Sequence, residues 1–138
     1  MPLPADIERL LRDTRSIALV GASDDPARAS ARIGPYLIAH GYTVWPITPQ
    51  YPMVYGLPSL PSLDALAHTP DLVLCFRRSE AMPELARAAV RIGAPALWMQ
   101  TGIINEEAAD LALAAGLTVV MDRCIQVDHR TWMAEGTR

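Results

Sequence analysis

No stretch of this chain is apolar for the length that a bilayer demands, and its N-terminus has neither the basic nor the apolar region of a signal peptide. Only two cysteines occur, Cys75 and Cys124, too few for a disulfide framework and without the spacing of a metal motif. The three histidines, His40, His68 and His129, are scattered and show no ligand spacing. Positive charge is also in short supply. With a net charge of -3 the chain has no basic face for nucleic acid. The expectation is a reduced, soluble, cytoplasmic protein with no metal and no nucleic-acid or membrane partner. An anion bound here must be held locally, by a few placed groups.

What is present is the makings of a core. The 138 residues suit one domain, 1–138, and are too few for two. Of these residues 51% are hydrophobic and 20% charged, which argues against disorder. Short apolar runs alternate with helical patterns from end to end. Ser16–Val20, Tyr42–Ile47, Leu72–Phe76, Ala96–Met99 and Leu117–Met121 read as strands, most of them without alternation, as in a parallel sheet buried on both faces. Pro46 must lie at the end or on an unpaired side of the second run.

Between the strands, Ile33, Tyr36, Leu37 and His40 keep helical spacing until Gly41, and Leu85, Ala89 and Ile92 do so until Gly93. Ser79 opens the second of these helices. Asn105, followed by Glu106 and Glu107, is a strong helix start, because carboxylates favour the positive end of the helix dipole. Those carboxylates have no nucleophile beside them, so a cap explains them better than catalysis. Asp6–Leu11 reads as a lead-in helix, and Ser62 as the cap of a short helix reaching His68. Residues 48–61 read as a long loop, and from Thr131 onward no period is visible. Strand-helix alternation implies an α/β, Rossmann-like, doubly wound domain. Its five-stranded parallel sheet takes the order 3-2-1-4-5, with a crevice beside the first strand at the carboxyl ends.

The chemistry should sit in that crevice. Gly21, Ala22 and Ser23 follow the first strand directly, and a glycine there lets the backbone turn sharply and approach a phosphate. Downstream, Arg28 can pair with a phosphate and Ser30 can cap the next helix. Full dinucleotide recognition is missing, since the next glycine is Gly34. The end of the second strand, Thr48–Tyr51, offers neither a carboxylate for the ribose of NAD nor an arginine for the extra phosphate of NADP.

The third strand ends in Phe76, Arg77 and Arg78, two cations at the ligand edge. Gly102 allows close approach after the fourth strand. Cys124 follows the fifth; it reads first as a structural cysteine and second as a thiol made more reactive by the positive charge of Arg123 beside it. Cys75 lies inside a strand and reads as core.

With those residues laid out, the chain resembles the small stand-alone CoA-binding proteins, the YccU-like family. These are related in fold to the CoA-binding domain of the succinyl-CoA synthetase alpha subunit. The resemblance is carried in order by Ile17–Ser23, Gly41–Pro49, Phe76–Arg78, Asn105–Ala108 and Val120–Cys124. It implies coenzyme A or an acyl-CoA as ligand, with the pyrophosphate on Gly21–Ser23. It also implies that Thr48, Pro49 and Tyr51 border the adenosine, and that Phe76 and Arg77 line the crevice opposite. Thr48 stands where the family has asparagine, and Gln50 where it often has a basic residue. One contact to the ribose 3′-phosphate is thereby lost unless Arg28 or Arg78 replaces it.

The expected function is non-catalytic binding, as sensor, carrier or regulatory module. Two alternatives stand beside it: a nucleotide-dependent enzyme using Cys124 or Arg77, and a redox protein in which Cys124 forms a mixed disulfide with the thiol of CoA.

Overall fold

The computed structural model describes residues 3–136. Its elements, in chain order, are α1 (Ala5–Asp13), β1 (Ser16–Val20), α2 (Ser30–Ala39), β2 (Thr43–Ile47), β3 (Met53–Val54), β4 (Leu57–Pro58), β5 (Leu72–Cys75), α3 (Met82–Arg91), β6 (Ala96–Met99), α4 (Glu106–Ala114), β7 (Thr118–Val120) and α5 (Ile125–Gly136). Single 3-10 turns precede β5 and α3, at Leu63–Ala65 and Ser79–Ala81. No helix among the described residues is long and apolar enough to cross a membrane.

Five strands form a parallel sheet in the order β2-β1-β5-β6-β7. Its side chains divide by strand alternation. Ala18, Val20, Val73, Cys75, Leu97 and Met99 face α3 and α4, where they meet small residues such as Ala86, Ala89, Ala108 and Ala112. Ile17, Leu19, Leu72, Leu74, Ala96 and Trp98 face the other way, toward Ile7 and Leu11 of α1, Ile33 and Leu37 of α2, and Ile125 of α5. A sheet covered on both faces explains why its central strands are apolar without alternation. Fully buried Trp98 satisfies its indole N–H on the Arg123 carbonyl at 2.8 Å.

The α/β, doubly wound, Rossmann-like class is as the sequence implies. Counted along the chain, the parallel strands run 2-1-3-4-5, whereas the sequence reading expects 3-2-1-4-5. Both orders reverse beside the first strand; they differ in where the third parallel strand, β5, is placed. Two observations explain its place against β1. The Pro46 carbonyl accepts from Leu60 N–H at 3.0 Å on the outer side of β2, so proline's missing donor faces outward and β2 is an edge. β5 is buried throughout, as a central strand must be. The Asp71 carboxylate then pins the start of β5 to β1, accepting from Arg15 N–H at 2.9 Å and Ser16 N–H at 3.2 Å.

Other local differences have physical causes. Residues 48–61 contain a two-stranded hairpin, β3–β4, turned by Tyr55 and Gly56, both at positive φ (57° and 73°). This is the geometry of a type I′ turn. Ser62 makes no cap hydrogen bond, and only one 3-10 turn follows it. From Thr131 onward the chain is helical to Gly136, held by partly buried Trp132 against the α1/α2 side; Thr137 and Arg138 lie outside the described residues.

Asn105 caps α4 as expected, its side chain accepting from Ala108 N–H at 2.9 Å. Its amide also donates to the Ser79 carbonyl at 3.0 Å. Asn105→Ala is expected to cost about 1–2 kcal/mol, since it removes a cap and a tertiary hydrogen bond together, and urea unfolding measures the loss.

Candidate functional site

At the carboxyl end of β1 the chain turns at Gly21, with φ 86°. A Cβ there would lie 2.6 Å from the Phe76 carbonyl oxygen, so β1 and β5 leave no room for a side chain between them. The β5 placement therefore sets the end of the third parallel strand, Phe76–Arg78, directly against the glycine loop. Gly21 N–H is spent on the Ile47 carbonyl at 3.0 Å, which ties the loop to β2 as well.

Beyond Gly21 the loop is internally braced. Buried Ser23 accepts from Asp25 N–H at 3.0 Å, and the Asp25 carboxylate accepts from Ala27 N–H at 3.0 Å. Ser30 is the first residue of α2 and is not its cap; its buried hydroxyl donates to the Gly21 carbonyl at 3.0 Å, closing the loop on itself. The Ser30 hydroxyl is thus spent as a donor, while the Ser23 oxygen accepts and keeps its O–H to donate.

Two adjoining cavities open where β1 and β2 end, next to Val20 and Ile47, and residues 21–30 line neither of them. The first, about 250 Å³, is lined by Val20 and Ile47 at the strand ends, by Pro49, Pro61 and Ser62, and by Arg77. The second, about 330 Å³, is lined by Thr48, Pro49, Gln50, Tyr51, Pro52, Ser59 and Pro61. Pro49 and Pro61 are shared, so the two make one groove around the end of β2. Each lies near the lower end of the size of a small-molecule site.

Four charged side chains line the groove: Arg77, the paired Asp64 and Arg91, and Glu84 of α3, a carboxylate with no hydrogen-bond partner among the described residues. Asp64 and Arg91, at its outer wall, form a bidentate pair at 2.7 and 2.9 Å, and the Arg91 guanidinium holds the Asp64 carboxyl below its ordinary value. The guanidinium groups of Arg28, Arg77 and Arg78 hydrogen-bond to nothing among the described residues, and all three are exposed. The chain has no lysine, so every cation available to an anion is an arginine.

Of the residues read from the sequence, Gly21, Ala22, Ser23, Thr48, Pro49, Tyr51 and Arg77 gather at the ends of β1, β2 and β5. Phe76 contributes its carbonyl behind Gly21, while its ring packs on the α1/α2/α5 side. Gly102 and Cys124 lie at the ends of β6 and β7, and Gly102 N–H is taken by the Asp122 carboxylate at 2.7 Å. Arg123 turns away from its cysteine neighbour to Asp128, paired at 2.8 and 3.0 Å. Burial pushes the Cys75 thiol up to about 12, which leaves it inert. Sequence reasoning missed Pro61 and Ser62 as lining residues. Their signal was the proline-rich run that returns the chain past Pro49.

His129 sits on the other side of α2. It is buried among Tyr36, His40, Tyr42 and Trp132, with Nδ1 at 2.8 Å from the Tyr36 hydroxyl. Burial first, and the neighbouring His40 second, push its pKa below the ordinary 6.5. A histidine that resists protonation only when folded stabilises the fold fully above its unfolded value. That contribution is lost as pH falls from about 6.5 through the lowered folded value. Melting temperature is expected to drop between pH 7.5 and 5.5, with a shallower slope in His129→Gln.

Residues 15–130 match the family described as CoA binding domain. The Bacillus subtilis protein YneT is 37% identical over 128 residues, covering 93% of this chain and 95% of YneT. A solved structure from Pyrococcus horikoshii, itself described as hypothetical, superposes with TM-score 0.90 at 33% identity, over 96% of both chains. A dinucleotide-forming acetyl-coenzyme A synthetase from Ca. Korarchaeum cryptofilum, in complex with phosphate and ADP, aligns at TM-score 0.73 and 25% identity. It is matched over 83% of this chain but 26% of its own. The chain belongs to the CoA-binding domain family.

Proposed function

We propose that this protein binds coenzyme A or an acyl-CoA without transforming it, as a sensor, carrier or regulatory module. The observation that carries the proposal is the groove beside Gly21, bounded by Arg77, whose guanidinium is unpaired. A phosphate seated on the Gly21–Ser23 loop would lie beside that cation, and an N⁺–H···O⁻ contact is among the stronger hydrogen bonds. Thr48, Pro49 and Tyr51 would then border the adenosine.

The residues fit the ligand in three respects. Gly21 keeps side chains out of the strand junction, the groove offers apolar walls of proline, valine and isoleucine, and Arg77 on its wall carries an unpaired guanidinium. Arg28 and Arg78 are the candidates for the ribose 3′-phosphate, for which Gln50 offers no charge. Thermal-shift titration tests the reading. Saturating CoA is expected to raise the melting temperature, and adenosine to do so much less. Equal shifts from both would remove the role given to the phosphate loop.

A further inference from the structure

The hairpin β3–β4 does something that loop composition alone does not explain. Its tip residue, Tyr55, holds a left-handed backbone (φ 57°) in a position where glycine, asparagine or aspartate is the usual choice. The strain is offset by three contacts, one to the glycine loop and two to α2. Tyr55 N–H donates to the Asp24 carboxylate at 3.0 Å, inside the glycine loop. Its hydroxyl donates to the Ser30 carbonyl at 2.5 Å, in the first turn of α2. Its ring lies flush on α2 at Gly34, where a Cβ would come within 2.2 Å of a ring carbon. Gly34, a buried glycine in mid-helix, has a reason in that contact.

We propose that Tyr55 is a positioning residue for the phosphate-binding loop, and that β3–β4 is the clasp that delivers it. Gly21 and Ser30 fix the two ends of the loop through the Ser30 hydroxyl–Gly21 carbonyl bond. The residues between them are mostly exposed and carry two aspartates, Asp24 and Asp25, unwelcome beside an anion. Asp25 is engaged by the loop's own Ala27 amide, and Asp24 only from outside, by Tyr55.

Losing the phenol hydroxyl would release the Ser30 carbonyl, where the loop enters α2, and loosen the hairpin tip whose backbone N–H holds Asp24. Burial pushes the Tyr55 phenol up to about 12, so it stays a hydrogen-bond donor across the working pH range. The inference rests on assigning Gly21–Ser23 to the ligand's phosphates.

Two variants test it from opposite sides. Tyr55→Phe keeps the ring and removes the hydroxyl; Gly34→Ala keeps the tyrosine and pushes its ring off the helix. In the ligand-free protein, both are expected to speed amide hydrogen exchange across residues 22–30 while β5 and β6 stay protected. Both should weaken CoA and ADP about three- to tenfold, the equivalent of one lost hydrogen bond. Adenosine, which has no phosphate, should be unaffected; a purely structural loss would weaken all three.

Unchanged exchange, or faster exchange with unchanged CoA affinity, would overturn the proposal. So would tighter CoA binding by Tyr55→Phe, which would show the hydroxyl competing for the phosphate's place. If the wild-type protein bound no CoA, the ligand assignment would fall. The exchange data would still decide whether Tyr55 holds the loop.

Discussion

Gly21→Ala is expected to abolish measurable CoA binding and to lower the melting temperature by roughly 10 °C. Two costs coincide at this residue. An L side chain at φ 86° carries the strain of left-handed backbone, and its Cβ would sit 2.6 Å from the Phe76 carbonyl oxygen. Together they amount to about 2–5 kcal/mol. The obstacle is backbone, so no side chain can swing aside to relieve it.

The sequence alone suggests a different reason, that an added side chain would occupy the anion's place. The structure moves the collision to the β1–β5 junction, so the binding defect follows from displacement of the whole loop. Valine at this site should be worse than alanine on both measures. Differential scanning fluorimetry with and without CoA separates the effects.

Arg77→Ala should show the opposite balance. Its guanidinium is exposed and unpaired among the described residues, so the fold loses almost nothing, within about 0.5 kcal/mol. If that cation meets a phosphate, CoA affinity falls by about 1–3 kcal/mol, or roughly 5- to 150-fold. Affinity that falls with no change in melting temperature marks a ligand contact. Affinity that stays constant assigns Arg77 to the solvated surface and passes the phosphate to Arg28 or Arg78.

Much of this architecture was legible in the residues, and the exceptions are informative. Buried parallel strands announce themselves as short apolar runs, and Ser16–Val20 and Ala96–Met99 have the same limits in the sequence reading and in the fold. The Asn105 cap was readable because its chemistry is local. Strand order was not fully readable, because it depends on which strand tolerates an edge. Pro46 held part of that information: it offers no ladder donor on the outer side of β2, where only the Ile47–Leu60 bridge forms, and β5 joins β1 on the far side.

The hairpin was hidden for a related reason. Tyr55-Gly56 is a weak turn signal, and its stability comes from Asp24, Ser30 and Gly34, distant in sequence. At the site, the glycine loop and Arg77 could be named from the chain. That Ser30 braces the loop and does not cap the helix, and that Pro61 and Ser62 complete the groove, are facts of tertiary packing.

Calorimetric titration of one preparation with CoA, 3′-dephospho-CoA, NAD and ADP tests the central claim most directly. CoA is expected to bind most tightly and removal of the 3′-phosphate to weaken it, with Arg28 or Arg78 responsible for the difference. A preference for NAD or ADP, with CoA no better, would contradict it.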